Sequence, residues 1–357
     1  MRRQKAFLKS IGVKALLSGN DCGPWFAAMQ PVRETAYDFV DAHWYGGKPR
    51  FLSGKWKTPC AIEMRLPADL FEDLSTTFTE VPWVRVRGRP FTCTEWNFAG
   101  SWPHRSVGGL TAGACAALQG WDGLWQFAYA QGLGTLAKGN GVPDQYNVCA
   151  DPVMRLGAYA TALLFRRGDM APAAETVASS TGISPLPPNG AAKALSPAPT
   201  SGRSSLWPTC VSTLRTAGGF LPSDGMFSAG PLGVETSGGG SSTIWASALD
   251  GDRSLAEARR IVLFHVTDVR GSGYSFLDGR TGILSNYGCM PLKAREGDAR
   301  VRLDIANPEK FNVWALDLSG RRMERVPSRV VEGRLTFLAS VAGPPARFVY
   351  EIERDIN

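Results

Sequence analysis

The chain has 357 residues, 44% hydrophobic and 20% charged, an ordinary globular balance with room for two domains that each bury a core. Its formal charge of +7 is spread thinly, with short basic clusters at Arg2-Arg3 and from Arg85 to Arg89, so the concentrated basic face of a nucleic-acid binder is not expected. Seven scattered cysteines without a CxxC pair, and three well-separated histidines (His43, His104, His265), supply neither a disulfide framework nor a metal-ligand pattern, and no cofactor is implied.

The N-terminus, Met1 to Lys9, is basic without a sustained apolar core and reads as an amphipathic helix rather than a signal peptide; no apolar run of about 18 residues marks a membrane span. Val13 to Ser18 is a strand candidate ending in Gly19-Asn20-Asp21, and Tyr37 to Tyr45 is a second. Phe91 to Glu95 is a third, Ser106 to Gly120 a helix of small residues, and Leu124 to Tyr129 a fourth strand. A helix from Pro152 to Arg166 closes this part. Strands alternating with helices predict βα units on a parallel sheet over residues 1–172.

Residues 173–242 change texture. The stretch 178–205 is rich in Ser, Pro, Ala and Gly and reads as a linker, and Ser237 to Ser242 as a second loose segment. From 243 to 357 short strands follow one another without helices: Ile261–Thr267, Tyr274–Leu277, Ala299–Ile305, Phe311–Leu318, Arg334–Ala339 and Arg347–Ile352. Turns such as Asp278-Gly279, Ser319-Gly320 and Glu332-Gly333 separate several of them, which predicts an antiparallel β-sandwich.

Glu95 draws attention because it ends a β-forming run and precedes Trp96 and Asn97. A carboxylate so placed suits the nucleophile of a retaining glycosidase. His43 and Tyr45, two residues apart on one strand, share a face. If that face carries Glu95, the Tyr45 phenol can donate to its carboxylate, an interaction that favours an ionised acceptor. Alternation by itself places Cys93 on Glu95's face. Trp96, Trp102 and Tyr129 are candidate aromatic platforms for a sugar ring. His43, Asn20 and Asn97 are candidates for binding hydroxyls. Trp121 and Trp125 read as core, Asp122 as the start of a turn, and His104-Arg105 as either cleft-lining or helix-capping.

The ordered set Asp41-Ala42-His43-Trp44-Tyr45, Thr94-Glu95-Trp96-Asn97 and Trp121 to Tyr129 resembles clan A glycoside hydrolases. That resemblance implies the second half of a (β/α)8 TIM barrel, strands five to eight, followed by a β-sandwich domain. It also implies a retaining double displacement on an oligosaccharide or polysaccharide with Glu95 as nucleophile. The clan's acid/base Glu follows an Asn at the end of strand four. No Asn-Glu dipeptide occurs in this chain, so the expectation is half an active site, as in a truncated gene product. The alternative is a non-catalytic carbohydrate-binding or scaffolding protein. The expected partner in either case is carbohydrate, with no nucleic acid and no membrane.

Overall fold

A computed structural model describes residues 2–19, 30–54, 56–62, 85–138, 141–174, 177–179, 182–184, 210–277 and 282–355. Strand makes up 39% of it and helix 19%, and most strands lie in antiparallel sheets, which overturns the expected half of a TIM barrel. The parallel portion is a three-stranded sheet: β1 (Val40–Gly46), β2 (Phe91–Phe98) and β3 (Gly123–Gln126), in that order. The first strand expected, Val13 to Ser18, is irregular chain following helix α1 (Arg2–Ser10). A strand of a parallel sheet is covered on both faces, whereas Leu16 is 63% exposed and Lys14 interrupts the apolar run. The segment is held instead by Leu17, whose N–H donates to Asp38 Oδ2 at 2.9 Å. A second short helix, α2 (Gln30–Ala36), leads into β1.

Between β2 and β3 runs α3 (Val107–Leu118), whose Gly and Ala content lets it bury residues Val107 through Ala117 on all sides. A six-residue helix, α4 (Leu133–Lys138), follows β3. Then comes α5 (Pro152–Thr161), started by Asp151, whose carboxylate accepts from the Val153 and Met154 amides, with Pro152 in the first turn. Helices α3 and α5 touch backbone to backbone at Gly109 and Gly157, where a methyl on Gly109 would collide with the Gly157 carbonyl.

The sandwich begins at residue 210, not 243. Its strands are β4 (Cys210–Ser212), β5 (Thr216–Leu221), β6 (Met226–Ala229), β7 (Leu232–Ser237), β8 (Ser242–Ala248), β9 (Arg260–Val266), β10 (Gly297–Leu303), β11 (Phe311–Leu316), β12 (Arg322–Val326), β13 (Ser328–Val331), β14 (Arg334–Val341) and β15 (Val349–Arg354). One sheet runs β12-β11-β15-β9-β8-β5-β4 and the other β6-β7-β10-β14-β13. Strand β10 shows the reason for the pairing: Gly297, Ala299, Val301 and Leu303 point inward, Asp298, Arg300 and Arg302 outward. The segment Ser237–Ser242 is a defined turn. Gly238, Gly239 and Gly240 all take positive φ (112°, 76° and 96°), and Arg295 donates to the Gly239 and Ser241 carbonyls. Most of the expected linker 178–205, like the Asp278-Gly279 turn, lies outside the described residues.

Three apolar clusters stack the layers. The first joins Val40, Ala42, Trp44, Phe91, Cys93 and Trp96 of the parallel sheet to Val107, Ala112 and Cys115 of α3. A second joins Leu110, Ala114, Leu156 and Ala160 of the helix pair to Val211, Trp245, Phe264 and Val349 of the seven-stranded sheet. The third fills the sandwich. Polar clamps flank the middle cluster. At one end buried Arg105 bonds both Asp151 and Asp268; at the other Asp169 accepts from Arg167 and Thr216. A small sheet of residues 50–51, 60–61, 275–276 and 283–286 ties the chain after β1 to the sandwich. It thereby fixes the loop that leaves the carboxyl end of β1.

Candidate functional site

The parallel sheet has two unlike faces. Along β1 the residues Val40, Ala42, Trp44 and Gly46 are buried toward α3, while Asp41, His43 and Tyr45 are half-buried on the opposite face. Strand β2 does not alternate through its whole length. Ala42 pairs with Cys93, but His43 pairs with Glu95, so one extra residue, Thr94, is inserted in β2. The pairing of β2 with β3 is irregular at the same place, between Cys93 and Trp96. This is a β-bulge, and it exchanges faces. Phe91 and Cys93 before it, and Trp96 and Phe98 after it, all face the helix, while Thr92, Glu95 and Asn97 face the other way. The expectation that Cys93 and Glu95 share a face is therefore corrected: the thiol lies in the core and the carboxylate on the open side.

On that side Glu95 meets Tyr45, the partner expected for it, and also His43, which was expected to bind hydroxyls and lies against the carboxylate instead. The Tyr45 phenol donates to Glu95 Oε2 at 2.6 Å, and His43 Nδ1 lies 3.2 Å from the same oxygen. The Glu95 side chain keeps 32% exposure and His43 12%, so the carboxylate is accessible while its partner is mostly enclosed. Burial, then the hydrogen bond and charge of Glu95, raise the Tyr45 phenol well above its ordinary pKa. The proton thus stays on Tyr45, which acts as a fixed donor. Tyr45 is wedged by Tyr146, whose ring centre lies 4.8 Å away, and by Phe127 edge-on at 6.3 Å. Lys48 Nζ covers the Tyr45 ring at 5.5 Å.

The remaining predicted residues separate into distinct environments. Asn97 is 1% exposed, and its amide is occupied: Nδ2 donates to the Phe127 carbonyl at 2.6 Å, and Oδ1 accepts from the Phe98 N–H at 2.8 Å. It binds the loop after β3 to β2, a structural task in place of the expected hydroxyl contact. Trp96 and Trp102 are each 2% exposed, stacked on Trp44 and Phe98 respectively, so neither offers a free ring face. Tyr129, by contrast, is 65% exposed just beyond β3. Asn20 lies outside the described residues. Asp122 accepts the Phe91 N–H and serves a turn. Arg105 is buried in the interlayer clamp, and His104 packs edge-on against Trp102 and Phe220.

Several residues of the face escaped the sequence. Trp125, read as core, is 54% exposed, its indole folded over Gly123 beside Thr92. Trp121 is the buried member of that pair, against Phe91. Tyr146 sits in a loop with no periodic signal. The bulge, however, left a trace. The apolar residues of Phe91-Thr92-Cys93-Thr94-Glu95-Trp96-Asn97-Phe98 fall at 91, 93, 96 and 98, two steps of two separated by one of three.

The face therefore combines an accessible carboxylate, a fixed phenol donor, a histidine nitrogen close to the same oxygen and the exposed ring of Trp125, with Tyr129 exposed just beyond β3. Among the described residues no group of three or more His, Cys, Asp and Glu could hold a metal ion, and no helix is long and apolar enough to cross a membrane. No family model matches the sequence, and no curated protein matches it.

Proposed function

We propose that this chain carries the nucleophile of a retaining glycoside hydrolase acting on an oligosaccharide or polysaccharide, with Glu95 as the attacking group. One observation carries the proposal: the half-exposed Glu95 carboxylate is gripped at a single oxygen, Oε2, by the Tyr45 phenol at 2.6 Å and His43 Nδ1 at 3.2 Å. That arrangement leaves Oε1 as the oxygen to attack an anomeric carbon. The ester bond forms as the glycosidic C–O bond breaks, and water then cleaves the ester with net retention. Tyr45 follows the charge on Glu95 as it is consumed and restored, and His43 fixes the carboxylate's rotation. Trp125 and Tyr129 offer exposed rings on which a sugar face can stack.

The leaving group also needs a proton, from a second carboxyl about 5–5.5 Å from the nucleophile. Asp41 is the other carboxylate on the same face of β1, but Thr92 and Thr94 occupy both of its oxygens. A carbohydrate-binding protein without turnover is the second reading, favoured because both oxygens of Asp41, the other carboxylate on that face of β1, are occupied.

Hydrolysis of a panel of dinitrophenyl glycosides by the chain and by its Glu95→Gln variant tests the proposal, because such leaving groups need little acid assistance. Turnover by the parent that disappears in the variant supports it. Equal turnover by both refutes the role of Glu95, and sugar binding without turnover supports the second reading.

A further inference from the structure

We infer that Asp41 is a positioning residue for Glu95, whose carboxylate pins the bulge that turns Glu95 onto the open face. The inference rests on the reading of Glu95 as nucleophile and adds to it the device that presents that nucleophile. A bulge leaves its extra residue out of the strand ladder, with a backbone donor to satisfy. Here Asp41 satisfies it. Its Oδ1 accepts the Thr94 N–H at 3.1 Å and the Thr92 hydroxyl at 2.7 Å, and its Oδ2 accepts the Thr94 hydroxyl at 2.5 Å. One carboxylate on β1 thus grips β2 at three points on either side of Cys93, immediately before Glu95.

Packing and the clamp have separate tasks. The buried positions of Phe91 and Cys93 on one side, and of Trp96 and Phe98 on the other, require one extra residue between them. They do not decide whether Thr94 or Glu95 leaves the ladder. The three bonds to Asp41 assign that place to Thr94, which leaves Glu95 paired with His43 and within reach of Tyr45. Asp41 and His43 are two residues apart on one face of β1, so the clamp and the carboxylate's partner belong to the same strand. A shift of the bulge by one residue would take Glu95 out of its pairing with His43, and a smaller slackening would still move its oxygens relative to a bound sugar. Misplacement by about 1 Å can cost about 10²-fold in rate.

The test combines steady-state kinetics on dinitrophenyl glycosides with crystal structures of Asp41→Ala, Asp41→Asn and Thr94→Val. Asp41→Ala and Thr94→Val are expected to lower kcat about 10²-fold with KM changed by less than about threefold, the split expected when geometry rather than affinity is lost. The crystal structures are expected to show the Tyr45–Glu95 bond lengthened or broken. Asp41→Asn keeps an acceptor for the Thr94 N–H and should retain more of kcat than Asp41→Ala. Should Asp41→Ala fail to fold, Thr94→Val, which removes only one of the three bonds, supplies the same comparison. A folded Asp41→Ala protein with parental kcat, or with Glu95 still 2.6 Å from the Tyr45 oxygen, overturns the inference. An inert parent whose Glu95 swings away in Asp41→Ala refutes the nucleophile and supports the clamp. An inert parent with Glu95 unmoved in the variant refutes both.

Discussion

Replacing Arg105 by alanine should destabilise the whole molecule, because this one side chain ties the helix layer to the chain leaving the seven-stranded sheet. Its guanidinium is fully buried, donating to Asp151 Oδ2 at 2.6 Å and Oδ1 at 3.1 Å, to Asp268, and to the Val269 carbonyl at 2.8 Å. Burial opposes its charge, yet Asp151 and Asp268 hold it above the ordinary arginine pKa. Removing one partner of a buried pair costs about 3–5 kcal/mol. Here Asp151 keeps the α5 amides and Asp268 keeps Arg270, so the lower end, about 3 kcal/mol, is expected. Burial pushes the Asp268 carboxyl up, but Arg270 and Arg105 outweigh it and hold the pKa below its ordinary value. A carboxyl depressed in the folded state stabilises above its unfolded pKa and loses that contribution as pH falls through the folded one. The penalty of Arg105→Ala should therefore be full at pH 7 and shrink below about pH 4. Urea unfolding at pH 7 and pH 3, followed by tryptophan fluorescence and far-ultraviolet circular dichroism, measures both. The parent should unfold in one coincident transition. A loss below about 1 kcal/mol at pH 7, the size of an exposed pair, would refute the reasoning. So would a parent whose two probes report separate transitions, since the layers would then unfold independently.

Gly109→Ala places a methyl against the Gly157 backbone in the α3–α5 contact and should cost about 1–3 kcal/mol, read as a lowered Tm. His265 is fully buried. Burial, and secondarily the charge of Arg295, lower its pKa to about 4 against a hydrogen bond to the Ala339 carbonyl. A histidine depressed in this way stabilises above its unfolded pKa of about 6.5, and stability falls as pH drops from there toward 4. Parent and His265→Gln should accordingly differ in their stability–pH slopes over that window by about 3 kcal/mol in total, measured by urea titration at each pH. Tyr45→Phe removes the 2.6 Å donor to Glu95 and should lower turnover of an activated glycoside about 10²-fold without changing Tm by more than a few degrees.

The local elements of this fold were largely legible in the sequence, and their assembly was not. Residue type and periodicity found β1, β2, α3, α5 and the sandwich strands β9, β10, β11, β14 and β15 within a few positions, but missed β12 and β13, whose residues are mostly exposed and show no apolar alternation. They also failed at Val13–Ser18, whose short apolar run has no partner strand, and at residues 210–248. There β5 and β8 are fully buried and rich in Gly, Ser, Thr and Ala, small residues that resemble a linker in sequence. The turn at Gly238–Gly240 looked loose for a related reason, since glycines chosen for positive φ cannot be told from glycines chosen for flexibility.

At the site, the pairing of Tyr45 with Glu95 followed from strand alternation on β1, which is regular. Faces on β2 did not follow, because a bulge defeats simple alternation even when its apolar spacing announces it. Trp96, Trp102 and Asn97 look like sugar-binding residue types, but residue type does not report burial. What enclosed them was the stack of α3 and the loop after β3, contacts between segments far apart in the chain.

Covalent trapping tests the central assignment most directly. A 2-deoxy-2-fluoro glycoside with a dinitrophenolate leaving group slows breakdown of the ester more than its formation, and its leaving group needs no acid. Intact-mass measurement should show one added fluoroglycosyl unit, and peptide mapping should place it on Glu95. A soluble, folded chain that takes up no label from a panel of such sugars, or takes it up on another residue, would contradict the account.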